Sequence, residues 1–140
     1  MAREFLVRVL TPGRELFSGE ATEVLLPAYD GEVGVLSGHG DFIGALGTGP
    51  LKVVSGGNDF WFMLSSGAYR VKSGKLTILA EVGEKPSDSD GQEEAEKARE
   101  LEAKLADIKS FSTSTFDGWK REFDRSRARI EIHRRTESVN

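Results

Sequence analysis

The sequence predicts an α+β fold, an N-terminal β-sandwich of about ten short strands followed by a C-terminal antiparallel two-helix hairpin, and three observations carry that reading. Short apolar runs from Phe5 to Val82 are broken at roughly 6- to 12-residue intervals by clusters of turn residues. A polar segment, Glu84-Lys85-Pro86-Ser87-Asp88-Ser89-Asp90-Gly91, then interrupts the pattern. Beyond it the apolar residues recur every three or four positions, the period of a helix.

Within the first region Phe5, Val7 and Val9 share one face of a strand, and Leu76, Ile78, Ala80 and Val82 share one face of another. The breaks between runs are Thr11-Pro12-Gly13, Ser18-Gly19, Tyr29-Asp30-Gly31, Ser37-Gly38, Gly47-Thr48-Gly49-Pro50, Ser55-Gly56-Gly57-Asn58 and Lys72-Ser73-Gly74-Lys75. Sixteen glycines in 140 residues exceed the roughly 7% of an average chain, which fits many tight turns. Gly31 suits a turn position after Asp30, and Gly34 inside a strand suits a bulge or a close backbone approach. The expected organisation is a sandwich over residues 1–84, a hinge over 85–91 and a helical hairpin over 92–140.

Asp90 or Ser89 is placed to cap the first helix. Its apolar stripe is Ala95, Ala98, Leu101, Leu105 and Ile108. Ser110-Phe111-Ser112-Thr113-Ser114-Thr115 breaks the helix, and Trp119, Phe123 and Ile130 mark a second one. A hairpin of this size buries little area alone, so it rests on the sandwich or on a partner. Acids dominate the first helix. Bases dominate the second, with Lys120, Arg121, Arg125, Arg127, Arg129, Arg134 and Arg135 outnumbering its acids. Two readings are open: solvated faces paired within the hairpin, or a basic arm that meets an acidic protein surface.

Composition narrows the function classes. A net charge of −4 gives no sign of nucleic-acid binding. The absence of cysteine removes disulfides, thiolate chemistry and Cys-based metal sites. No apolar run approaches the roughly 20 residues of a bilayer-crossing helix, and the N-terminus does not read as a signal peptide. Catalytic constellations are missing too. His39 lies in a Gly-flanked turn and His133 among arginines, so the two belong to different halves and read as surface residues. Gly31-x-x-Gly34 and Gly47-x-Gly49 neither continue as Gly-Lys-Ser/Thr nor open a helix, so turn chemistry explains them better than phosphate binding. No metal-ligand spacing is present, no cofactor is expected, and Phe60 and Trp61 read as strand or core residues. The chain reads as an interaction protein. A ligand-binding β-sandwich module with a helical tail is the alternative, and it predicts a concave face lined with aromatic residues.

The stretch from Val24 to Asp41, Val-Leu-Leu-Pro-Ala-Tyr-Asp-Gly-Glu-Val-Gly-Val-Leu-Ser-Gly-His-Gly-Asp, resembles the signature of the epsilon subunit of F-type ATP synthases, called delta in mitochondria. Phe17-Ser18-Gly19 before it, Gly47-x-Gly49 after it, and later Ser66-Gly67 and Leu76 to Glu81 resemble the family in the same order. The resemblance implies a non-catalytic subunit of the central stalk, coupling flow through the c-ring to ATP synthesis through gamma. It implies a peripheral location on the cytoplasmic face of the bacterial inner membrane, held there by the complex. Glu32 and His39 match family positions that face the c-ring, and geometry could hold them on neighbouring loops at one end of the sandwich. Some apolar sandwich surface is expected to be exposed for gamma. The hairpin is expected to be an arm that inhibits ATP hydrolysis by extending toward the catalytic alpha/beta subunits, with Arg121, Arg125, Arg127 and Arg129 as its contact residues.

The sequence departs from ATP-binding relatives, which carry an apolar-Asp-x-x-Arg-Ala motif at the start of the first helix. Here Ser89-Asp90-Gly91-Gln92-Glu93-Glu94 stands there, so Glu93 replaces the arginine and repels phosphate. Little or no ATP binding is expected. Trp119 and the hairpin loop also depart from common members.

Overall fold

The computed structural model describes residues 3–107 and 113–137. Ile108 and Ser110-Phe111-Ser112, which the sequence places at the end of the first helix and in the hairpin loop, lie outside the described residues. Eight strands form: β1 (Phe5–Leu10), β2 (Glu15–Ala21), β3 (Glu23–Ala28), β4 (Gly31–Leu36), β5 (Phe42–Ala45), β6 (Thr48–Ser55), β7 (Asn58–Lys72) and β8 (Lys75–Glu84). Two hairpins turn on pairs of residues with positive φ, Gly56 and Gly57 between β6 and β7, and Ser73 and Gly74 between β7 and β8. Such two-residue turns match the right-handed twist of the strands they join.

Eight strands stand where about ten were expected, because two glycines read as turn residues, Gly19 and Gly49, lie inside strands. Gly19 lies within β2 beside the Phe17 ring. Gly49 lies within β6, where a side chain would come within 3.0 Å of Pro27 Cβ. A missing Cβ there lets β3 and β6 approach closely.

The strands follow the order β2-β1-β8-β7-β6-β3-β4, with β5 added to β7 beyond the end of β6. The β1–β8 pair is parallel, and the others are antiparallel. Closure depends on one bend. β7 pairs with β6 as far as Ser65 and with β5 from Ala68. Between them Ser66 and Gly67 adopt φ of 65° and 123°. The gap is spanned by Leu46 N–H donating to Gly67 O (2.9 Å) and Ser66 N–H donating to Gly47 O (3.1 Å). The bend also flips the alternation of β7. Phe62 and Leu64 face the core before it, and Tyr69 and Val71 face the core after it. β8 flips in step, so Val82 leaves the face it was expected to share with Leu76, Ile78 and Ala80 and packs outside with Met63.

Inside the sandwich Val7, Val9, Val24, Leu26, Leu51, Val53, Leu64, Leu76 and Ile78 have no accessible surface. Helix α1 (Gly91–Ala106) packs along α2 (Thr113–Glu137), and α2 lies against β6 and β7. Thr113, Ser114 and Thr115 belong to the first turn of α2 and not to the loop. Asp90 caps α1, its Oδ1 accepting from the Gln92 and Glu93 amides at 2.9 and 3.1 Å.

A Cβ on Gly67 would lie 2.0 Å from Leu79 O, in a backbone region that L-residues rarely adopt. Gly67→Ala is therefore expected to cost on the order of 3 kcal/mol, more than an ordinary surface change. Urea unfolding of the variant checks this, and an unchanged midpoint would refute the account of the bend.

Candidate functional site

Arg129 on α2 makes the densest polar contact between arm and sandwich. Its Nε and Nη2 donate to Glu84 Oε1 and Oε2 at 2.7 and 2.9 Å, a bidentate pair with the last residue of β8. Its Nη1 reaches Glu94 Oε1 on α1 at 3.5 Å. The three side chains are 11%, 21% and 13% exposed, so water screens them little. Hydrogen bonding to Glu84 raises the Arg129 pKa above its ordinary value, so the guanidinium stays charged. Removing one member of a buried pair typically costs roughly 3–5 kcal/mol, because the other charge is left without its counterpart.

One turn earlier, Arg125 Nε donates to Ser65 Oγ at 3.0 Å and its Nη1 pairs with Glu122 at 3.0 Å. Ser65 is fully buried on β7 and shares a 2.9 Å hydrogen bond with Thr48 Oγ1. On the same face of the helix, Ala128 between the two arginines and Ile132 beyond them bury against Met63, flanked by Trp61 and Val82. The Trp61 ring has Lys52 Nζ and Arg135 Cζ each 5.8 Å from its centroid, a cation–π arrangement that ties the last turns of α2 to the sheet.

Of the four arginines expected to act together, the structure thus covers Arg125 and Arg129 and leaves Arg121 and Arg127 exposed. His133, read from sequence as a surface residue, is half-buried, with Nε2 2.9 Å from Ser89 Oγ. Trp119, Phe123 and Ile130 are half-buried; the residues of α2 that bury fully are Ser126, Ala128 and Ile132.

The segment between β8 and α1 holds a short 3-10 turn, Pro86–Asp88. Asp88 pairs with Arg14 and accepts from the Lys85 amide at 2.7 Å. Glu93 is exposed on the first turn of α1.

At the sandwich ends the structure separates Glu32 from His39. Glu32 sits opposite Pro27, one pair in from the Tyr29-Asp30 turn, where Tyr29 is 82% exposed. His39 follows the other end of β4. Its amide bonds Leu36 O at 3.1 Å, and neighbouring Asp41 accepts from the Ser73 amide at 3.0 Å beside the β7–β8 turn. The strand between them spans about 13 Å at roughly 3.3 Å per residue. They do not share one end of the sandwich, because β4 runs straight between them.

A third surface lies on the sheet face away from α2. Pairing aligns Ala45, Ala68, Leu79 and Leu10 in a row across β5, β7, β8 and β1. Leu79 is 54% exposed there, with Leu6 and Ile43 exposed at 50% and 72% on the same strands. A shallow depression of about 430 Å³ opens at Leu10, Pro12 and Leu79. Among the described residues no group of three or more His, Cys, Asp or Glu is arranged to hold a metal ion, and no helix is long and apolar enough to cross a membrane.

The family model for the β-sandwich domain of the ATP synthase delta/epsilon chain matches residues 4–86, more than half of the chain. The chain belongs to the ATP synthase delta/epsilon family. The ATP synthase epsilon chain of Ruminiclostridium cellulolyticum is 33% identical over 115 residues, 79% of this chain and 86% of that one. The epsilon chain of Synechococcus sp. CC9311 is 33% identical over 135 residues, 93% of this chain and 97% of that one. A chain of the Euglena gracilis mitochondrial ATP synthase, solved with OSCP, F1 and c-ring, shares the fold at a TM-score of 0.71 and 19% identity, over 97% of this chain and 81% of that chain.

Within this family fold, Glu84, Glu94 and Ser65 are the contact residues that sequence reasoning missed. The available signal was the four-residue spacing of Arg125 and Arg129 on the face of Ala128 and Ile132.

The hydrogen bond from Arg14, helped by the Lys85 amide, holds the Asp88 carboxyl below its usual range. A group depressed on folding adds stability above its unfolded pKa of about 3.9 and loses it as pH falls through the folded value. Urea midpoints of the native chain and Asp88→Asn are expected to differ modestly at pH 7 and to converge as pH falls through the depressed folded-state value. A gap that persists at acid pH would contradict the assignment.

Proposed function

We propose that the chain is a non-catalytic rotor subunit of the ATP synthase central stalk, coupling rotation of the c-ring to gamma, with a helical arm that restrains ATP hydrolysis. The match of residues 4–86 to the delta/epsilon sandwich model, together with relatives that carry the epsilon-chain name, is the observation that carries this reading. The subunit would sit peripherally on the cytoplasmic face of a bacterial inner membrane, held there by its partners.

Each surface described above fits one partner. The Tyr29–Glu32 turn presents an exposed tip with an acid and suits the polar loops of a c-ring. A ring surface meets one end of the sandwich, so Glu32 keeps this role and His39, at the far end of β4, does not. The bare row of Ala45, Ala68, Leu79 and Leu10 suits gamma, since an apolar sheet face of this kind is a protein-binding surface. The arm would serve the catalytic alpha/beta subunits through Arg121, Arg125, Arg127 and Arg129 when it leaves the sandwich, pivoting on residues 85–91. An interface held by a few charged contacts and a small apolar cluster resembles one that opens and closes more than a permanent core. Glu93 places a negative charge where a nucleotide phosphate partner would be needed, so the arm is proposed to work without an ATP sensor.

Three outcomes test these assignments in a reconstituted complex. A chain lacking residues 87–140 should still bind gamma and should raise the ATPase rate; an unchanged rate removes the regulatory role. Leu79→Arg should weaken gamma binding by an order of magnitude or more, with the sandwich intact because the side chain is half-exposed. Glu32→Ala should lower proton-coupled ATP synthesis while His39→Ala leaves it alone, and the reverse pattern would move the c-ring contact to the other end.

A further inference from the structure

Arg129, on α2, contacts carboxylates from both the sandwich and α1. Glu84 and Glu94 approach the same cation, and Glu122 adds a third negative field nearby. Glu94 Oε2 is buried with no hydrogen-bond partner. Two partly desolvated carboxylates therefore share Arg129 as the cation in direct contact, and Arg14 adds only a longer-range field at Glu84. Without Arg129 they repel each other across the junction of β8 with α1, and each also loses its hydrogen bonds.

The rest of the interface between arm and sandwich holds no comparably covered ion pair among the described residues. Arg125 adds a neutral acceptor, Ser65, and the apolar part consists of Met63, Ala128 and Ile132 with the edges of Trp61 and Val82. Ser126 Oγ is buried without a partner, which reduces what that turn contributes.

We propose that Arg129 is a lock that holds both helices to the sandwich through Glu84 and Glu94, and that Arg125 and Arg129 serve either this lock or an outside acidic protein surface, never both together. The second half rests on the regulatory role given above. With the arm down, the two arginines are covered, and of the four contact arginines Arg121 and Arg127 face outward. Opening the lock releases the helices and uncovers the cations in one event. The sandwich thereby competes, through Glu84, for the same charges that an acidic partner would take.

Hydrogen exchange on the isolated full chain tests the lock without any other subunit. Arg129→Gln and Glu84→Gln are each expected to speed exchange of the α2 amides at least tenfold, leaving the β1 and β8 amides unchanged. Arg129→Lys, which keeps the charge and loses the fork, should fall between them and the native chain. Arg127→Gln, on the exposed face, should match the native chain. If Arg129→Gln and Glu84→Gln exchange no faster than Arg127→Gln, or if β1 and β8 loosen equally, the lock is wrong. In the reconstituted complex Glu84→Gln should deepen inhibition severalfold, because the arm is freed with its arginines intact. Arg129→Gln should free the arm without that gain. Equal inhibition by both variants overturns the shared use of the arginines. An arm whose removal leaves ATPase unchanged overturns the regulatory role instead, and the exchange result stands apart from it.

Discussion

Positive φ at Ser66 and Gly67 lets one long strand belong to two regions of the sheet. Before the bend β7 pairs with β6; after it the same edge pairs with β5, and β8 follows along the other edge throughout. The change in facing that accompanies the bend decides which side chains meet the core. Trp61, Met63 and Ser65 turn outward beneath α2, whereas Phe62 and Leu64 turn inward. Beyond the bend the outward set becomes Ala68 and Arg70, on the face without a helix. One backbone irregularity therefore places both the seat for the arm and the bare apolar row. A side chain at Gly67 would collide with Leu79 O, so the bend constrains β8 as tightly as β7.

The seat for the arm balances opposing terms. Ile132 and Met63 are wholly buried, and each contributes about 1.5–3 kcal/mol by removal from water. Covering Glu84, Arg129 and Glu94 costs desolvation that their mutual attraction repays only when the geometry is good. The bidentate Arg129–Glu84 contact provides that geometry; the unpartnered Glu94 Oε2 and Ser126 Oγ reduce the net gain. The polar contacts thus set position and register more than they add depth, and the apolar cluster supplies most of the attraction.

The fold class was legible because its signals are local. Period-two alternation from Phe5 to Val9, the Gly56-Gly57 and Ser73-Gly74 turns and the three-four spacing from Ala95 to Leu105 each report the backbone beside them. The strand count was not, because a glycine needed for close approach reads in sequence like one needed for a turn. Gly49 against Pro27 and Gly19 beside Phe17 show the difference, and only the tertiary contact reveals it. Val82 escaped for a related reason. Its alternation with Leu76, Ile78 and Ala80 is unbroken in sequence, and the flip comes from a bend in the neighbouring strand.

The candidate site was partly legible, and its two departures from expectation have separate physical origins. Sequence spacing places Glu32 and His39 seven residues apart, which suits neighbouring loops only if the intervening chain turns. It runs instead as the strand β4, and length along a strand converts into separation. Arg125 and Arg129 mislead in the opposite direction. Helical periodicity assigns arginine to the solvent face, which leaves Trp119, Phe123 and Ile130 as the apolar stripe of α2. That rule assumes a neighbour that offers only apolar surface. Where the adjacent sheet ends in Glu84 and carries a buried hydroxyl at Ser65, the long arginine stems cover apolar ground and their forks find matched acceptors, so the covered face of the helix carries charge as well as apolar residues. Helix charge therefore reports a partner surface here, and that surface lies within the chain itself.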